Sequence, residues 1–510
     1  MPSSIIFTFL DISLAILGLY LIKRHFDKPA GRRIPGPKGL PLIGNLFDVP
    51  IENEPLVFTE WQKKYGDIAS ATVLGQKIII LNSPKLAVDI LNKKSSIYSN
   101  RPHFTMASDL VGWKDAIVML PNEDRFRGYR KMMHQAIGSR SAVERYLDTM
   151  ESEAHACLRS ILKDPRNPVV PVRKAVGAVI LIISHGYKVT SANDPLVRVA
   201  DAATDQLGIL LAPGNFLVDT IPALQYVPEW VPGAGFQKIA REWRATLYEL
   251  TDRSFDYVKQ QMAAGIAVPN LVSNLMDGKK VSLKEEEDIK WAASSLYSAG
   301  IDNPVNALAT FFLAMTMHPE VQRKAQAEID AVIGRDRLPL FSDRDQMPYM
   351  NALCKELIRW GPTAPLGAPH CATQDDFHDG YFIPKGTIIV ANIWHFLHDP
   401  EVYPDPNRFN PDRLISSPGK PAQRDPFEVS FGYGRRSCPG SVLADYLLFI
   451  FCASILAVYD IEKVEENGII QEPKHEFTSG VLVKPKPFKT CLKPRSAKAE
   501  ALIRSIEELR

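Results

Sequence analysis

One cysteine, Cys438, stands in the run Phe431-Gly432-Tyr433-Gly434-Arg435-Arg436-Ser437-Cys438-Pro439-Gly440, directly ahead of a long apolar stretch. Pro439 suits the first position of a helix, which would put the cysteine beside that helix's positive end, where unpaired backbone N–H groups favour a thiolate. A thiolate is a metal ligand. As the axial ligand of a haem iron it pushes electron density onto the metal and favours cleavage of dioxygen. Arg436 lies two residues away, and a buried haem needs such cations, because its two carboxylates must be paired once they leave water.

A second set of polar residues lies on an apolar segment. Ser295, Ser298, Asp302 and Asn306 recur at spacings of three and four over 285–317, which makes a polar stripe on a helix that reads as buried nearly all round. Pro304 cannot donate to the carbonyl of Gly300, so this helix is expected to open or kink there. Asn303 beside it donates through its amide but relays protons less readily than a hydroxyl. Glu356 and Arg359 are three residues apart and would share a helix face.

These residues need a frame. At 510 residues, 45% hydrophobic and 23% charged, the chain has an ordinary globular composition. Its net charge of +2 argues against nucleic acid as a partner. Six cysteines without a C-x-x-C pair speak against a disulfide framework or a zinc site and fit a reducing compartment. Segments 68–74 and 77–82, split by a glycine, read as a hairpin. Helical spacing or good helix formers cover 55–65, 84–93, 124–137, 142–162, 285–317, 319–333, 349–360 and 441–459. Short strands return near 381–390, with a hairpin around 479–484. The expected fold class is mainly α with small β-sheets, in a single large domain.

The pattern F-x-x-G-x-R-x-C-x-G, met by 431–440 at every fixed position, resembles the haem-binding signature of the cytochromes P-450. The likeness extends from the proline-rich run 34–45 to about residue 487. It implies haem b held through Cys438, with Phe431 in the same loop. It also implies a dioxygen-binding notch at Ala299-Gly300-Ile301-Asp302-Asn303-Pro304, where Asn303 and Pro304 replace the family's two threonines. Ala299, Gly300, Asp302 and Asn303 are thus the candidate catalytic positions, with Asp302 and ordered water supplying protons and Asn303 placing the oxygen. Phe126-x-x-x-Arg130 resembles the family's W-x-x-x-R element, so Arg130, His370 and Arg436 become the candidate partners of the haem carboxylates. The run Pro406-Asn407-Arg408-Phe409 resembles a P-x-R-F segment, which implies a buried structural cluster of Glu356, Arg359 and Arg408. Segments 102–120, 206–235, 299–303, 365–368 and 480–482 would line a mostly apolar substrate site.

Residues 5–22 are almost continuously apolar and are followed by Lys23, Arg24 and Lys28. That is about the length of a membrane span, and its positive flank keeps the following body in the cytosol. The layout read from the sequence is an anchor at 1–28, a proline-rich hinge at 29–50 and a catalytic domain at 51–510. The resemblance implies a monooxygenase of the endoplasmic reticulum membrane. It would take NADPH electrons through a flavoprotein reductase docked near Arg127, Lys131 and Arg435, and would oxidise an apolar small molecule of fungal secondary metabolism. Two rivals are a haem-thiolate isomerase or dehydratase needing no external electrons, for which the missing threonine is the hint, and a non-catalytic haem-binding membrane protein.

Overall fold

The computed structural model describes Gly18 and residues 31–189, 194–212 and 214–506. The anchor expected over 1–28 falls, apart from Gly18, outside the described residues. The helices that matter for the site are α1 (Glu54–Tyr65), α2 (Asp124–Ile137), α3 (Leu147–Lys163), α4 (Val169–His185), α5 (Pro195–Leu211), α6 (Gly235–Ala263), α7 (Leu283–Met317), α8 (Pro319–Ile333), α9 (Pro348–Trp360) and α10 (Ser441–Val458). The strands are β1 (Ile68–Val73), β2 (Gln76–Leu81), β3 (His370–Cys371), β4 (Ile388–Ala391), β5 (Tyr459–Glu462) and β6 (Cys491–Pro494). The chain is mainly helical with small sheets, as its spacing indicated.

α7 is the axis of the molecule. It starts at a capping box, in which the Ser282 hydroxyl accepts from the Glu285 N–H and the Glu285 carboxylate accepts from the Ser282 N–H, satisfying donors that a helix start leaves free. It packs against α2, α4, α6, α9 and α10 and is buried along most of its 35 residues. The helical run is unbroken at Pro304, where the sequence suggested an opening: Pro304 is itself buried, and its missing N–H leaves the Gly300 carbonyl without that hydrogen bond. α10 has the length and apolarity of a membrane span, but it is largely buried within the body, where it packs on α3, α8 and α9.

The larger sheet has the order β1-β2-β4-β3. β1 and β2 are antiparallel, with Ile68 opposite Leu81, β2 runs parallel to β4, with Ile78 opposite Ile388, and β3 is antiparallel to β4, with His370 opposite Ile389. β5 and β6 form a separate antiparallel pair. The proline-rich stretch does not stand clear of this body. The Ser70 N–H donates to the Pro35 carbonyl (2.8 Å), the Asn45 N–H to the Thr72 carbonyl (2.6 Å) and the Leu74 N–H to the Ile43 carbonyl (3.2 Å), so the run lies along β1. A Cβ on Gly36 would land on the Ser70 carbonyl, which explains the glycine there.

Candidate functional site

The cysteine loop is held by glycine and by a widened helix. The expected helix at 84–93 is α-helical only over Pro84–Ala87 and continues as a π-helix over Val88–Lys93. The Asn92 side chain at its end accepts from the Gly434 N–H. Gly434 sits at φ 55°, and a Cβ there would strike the Leu91 carbonyl and approach the Ser95 Cβ at 3.0 Å, so both conformation and space demand glycine. The Cys438 N–H donates to the Phe431 carbonyl at 2.7 Å and closes the loop. α10 begins at Ser441 with Gly440 as its cap, so Pro439 precedes the helix instead of opening it. Cys438 is exposed as a residue although protein surrounds its thiol, as expected for a residue that borders interior space. Burial pushes its thiol pKa up, while the Gly440 N–H and Arg130 favour the thiolate.

Four cationic or cation-capable groups converge near it, and among the described residues no carboxylate acts on them. Arg436 is buried, donates to the carbonyls of Ser99 (2.7 Å), Ile117 (3.2 Å) and Leu120, and stacks 3.7 Å from the centre of the Phe126 ring. Phenylalanine at 126 therefore supports the guanidinium through its face. Arg130 donates to the Ser437 carbonyl at 2.5 Å. Arg101, which no spacing rule had linked to the site, donates to the carbonyls of Ala368 and Pro369 at 2.7 Å each and leaves its Nε buried without a partner. His370 on β3 donates from Nδ1 to the Tyr98 carbonyl at 2.7 Å, which leaves Nε2 as the free ring nitrogen.

Burial lowers the pKa of each of these groups, and neighbouring arginines lower Arg436 and His370 further. Arg436 falls to about 9 through burial and then through Arg101 and Arg130. Arg101 falls to about 10 through burial, and His370 to about 3 through burial and the two neighbouring arginines. No carboxylate is among the groups acting on Arg101, His370 or Arg436. Buried cations are costly unless paired, so this cluster fits a ligand carrying its own carboxylates. The two acids of a haem beside a sulfur ligand meet that requirement.

On α7, Ala299 is exposed in the middle of an otherwise buried run, so the helix borders open interior space at this point. Gly300 faces the other way, where a Cβ would press on Ile180 of α4 at 3.0 to 3.4 Å. The Asn303 amide donates to the Ala299 carbonyl at 3.3 Å. Asp302 is ion-paired to Arg173 of α4 at 2.7 Å, and Arg173 also binds Asp201 of α5 at 2.7 Å. Burial raises the Asp302 pKa and Arg173 opposes the rise. Elsewhere on the polar stripe, Ser295 accepts from the Ile117 N–H at 3.1 Å and Ser298 donates to the Ser295 carbonyl at 3.4 Å.

The structural cluster behind the loop differs from its expected membership. Glu356 and Arg359 are fully buried and doubly bonded, at 2.7 and 2.9 Å. The second guanidinium is that of Arg413, whose Nε donates to Glu356 Oε1 at 3.1 Å. The Arg408 side chain is exposed. Arg408 contributes only its carbonyl, which accepts from Arg359 (3.2 Å) and Arg413 (3.1 Å). The short helical turn Pro411–Leu414 carries Arg413 inward, so the second of two P-x-R runs supplies the partner.

Two of the expected lining segments are pinned to each other. Asp219, in the turn Leu217–Thr220, accepts from the Met106 N–H at 2.8 Å at the start of the π-helix Met106–Val111. A surface cleft of about 640 Å³ lined by Tyr187, Tyr248, Asp252 and Tyr257 contains none of the site residues.

The sequence matches the cytochrome P450 family model over residues 34–492. It is 49% identical to cytochrome P450 monooxygenase 208 of Postia placenta over 99% of both chains. It is 42% identical to cytochrome P450 monooxygenase claR of Ampulloclitocybe clavipes, over 97% of this chain and 91% of that one. It is 39% identical to cytochrome P450 monooxygenase CLM2 of Gibberella zeae, over 96% and 94%.

Proposed function

Because this chain belongs to the cytochrome P450 family and is a haem-thiolate monooxygenase, we propose that it inserts one oxygen atom into an apolar small molecule, a terpenoid, polyketide or indole of fungal secondary metabolism. The balanced reaction is substrate C–H plus dioxygen plus NADPH and a proton, giving C–OH, water and NADP⁺. A membrane-bound flavoprotein reductase passes the two electrons. The observation that carries the reading is the exposed Cys438 beside a cation cluster that, among the described residues, no carboxylate neutralises.

When bound, the haem supplies reductive activation of dioxygen. The chain's own residues hold and orient. Cys438 gives the sulfur ligand, and Arg101, Arg130 and Arg436 hold the carboxylates, with His370 joining them only once its Nε2 takes up a proton, because its Nδ1–H is committed to Tyr98. Ala299 leaves room on α7, and Asn303 presents an amide there. Asp302, held by Arg173, carries protons toward that space. Arg127, Lys131 and Arg435 are exposed and suit an acidic reductase face. Phe47, Tyr226 and Trp230 are 80%, 81% and 83% exposed, which supports contact with lipid, on the endoplasmic reticulum with the body in the cytosol.

The test is co-expression with a reductase and profiling of products from apolar metabolites. The parent is expected to give the red-shifted Soret band of a thiolate-bound ferrous carbonyl and NADPH-dependent oxygenated products. Cys438→Ser loses both. Conversion that proceeds equally without NADPH would point to the redox-neutral reading.

A further inference from the structure

α7 carries no hydroxyl at 303 or 304, yet one reaches this point from another element. Thr363 follows α9, and its hydroxyl donates to Asn303 Oδ1 at 3.1 Å. The same amide donates from Nδ2 to the Ala299 carbonyl at 3.3 Å. One contact fixes the oxygen end and the other the nitrogen end, although an asparagine amide on its own rotates in a broad, shallow well. Among the described residues the second N–H of that amide has no partner, and Asn303 is half-buried beside the exposed Ala299.

Thr363 is itself held firmly. At Gly361 an added Cβ would come within 2.6 Å of Thr310 on α7 and 2.9 Å of the Phe477 ring, so the segment is gripped between α7 and the 477–485 turn. The Thr363 carbonyl accepts from the Val483 N–H at 2.8 Å. Thr478 and Lys484 close that turn, the Thr478 N–H donating to the Lys484 carbonyl at 2.9 Å. Its Ser479 hydroxyl accepts from the Asn53 N–H at 3.0 Å.

We propose that Thr363 is a positioning residue for Asn303: its hydroxyl holds the amide so that the second N–H is presented to the interior space next to Ala299. The hydroxyl absent from the helix is thereby replaced by one supplied from a neighbouring segment, itself tied to the 477–485 turn. This inference rests on the haem-thiolate reading.

The test uses full-length holoprotein. Thr363→Val removes the hydroxyl at nearly constant volume, Thr363→Ser keeps it, and Thr363→Ala is the second variant should valine prevent haem loading. The first readout is the C–O stretching band of the ferrous carbonyl complex, which senses hydrogen-bond donors near the bound gas. The second is the share of consumed NADPH released as hydrogen peroxide with a reductase present. Thr363→Val is expected to shift or split the band and to raise the peroxide share about threefold to tenfold, as for loss of one hydrogen bond of ordinary net strength. Thr363→Ser stays close to the parent. In an Asn303→Ala background, Thr363→Val adds nothing, because the group it positions is gone. The proposal is overturned if Thr363→Val and Thr363→Ala match the parent while Asn303→Ala changes both readouts. An unchanged band in Asn303→Ala overturns it as well. A parent without a thiolate-type carbonyl spectrum overturns the enzymatic reading and this one together.

Discussion

Glu356 is a fully buried carboxylate shared by Arg359 and Arg413, and its cost in isolation sets what each arginine is worth. Removing one partner of a buried, hydrogen-bonded pair typically costs about 3–5 kcal/mol, while changes at an exposed side chain stay within about 0.5 kcal/mol. Arg413→Leu is therefore expected to abolish or sharply reduce haem incorporation, and Arg408→Ala to leave it near the parent. Carbonyl difference spectra of matched preparations, with urea midpoints, decide between them. The two arginines show what the chain could and could not disclose. Pro406-x-Arg408 and Pro411-x-Arg413 are the same pattern five residues apart, and only the turn at Pro411–Leu414 aims the second one inward. Cys438, Arg130, His370 and Arg436 were legible as candidates because they lie in motifs. Arg101, Arg173 and Thr363 were not, since each meets its partner at the site from a distant part of the chain, 267, 129 and 60 residues away in sequence.

At the scale of elements, α7 combines a helix-breaking residue with dense packing. Proline in a helix interior is less favourable than alanine by about 3 kcal/mol. Truncating the buried ring of Pro304 forfeits roughly two methylenes of burial, at about 0.8 kcal/mol each. The first effect is the larger, so Pro304→Ala is expected to stabilise the protein by about 1 kcal/mol, seen as a higher urea midpoint. A lower midpoint would mean that the space around residue 304 cannot close. Apolar spacing located α2 and α8 to the residue. It missed the π-helix at Val88–Lys93 and the 3₁₀ turn at Glu144–Tyr146 that separates a short helix from α3. These forms differ from an α-helix by one step in hydrogen-bond partner and leave almost the same pattern of buried side chains. Docking of the proline-rich run on β1 was equally hidden, because main-chain pairing has no side-chain signature.

The whole molecule keeps several histidines neutral in its interior. Burial lowers His185 to about 3 and His475 to about 4, and His398 lies well below its usual value. Unfolded histidines titrate near 6.5. Between that pH and the native values the unfolded chain binds more protons, so stability is retained above about 6.5 and falls as pH drops toward 4. Each such histidine contributes a slope of up to about 1.4 kcal/mol per pH unit. Urea unfolding at pH 7 and pH 5 should show this loss, and His185→Gln should make it shallower. The ring of Arg101, Arg130, His370 and Arg436 bears on a different choice. On the proposed reading, what these groups distinguish is the pair of free acids on a tetrapyrrole's rim, not its flat hydrocarbon body. A porphyrin diester would then leave the guanidiniums stranded, so the chain would sort its prosthetic group by ionised side arms before metal identity enters.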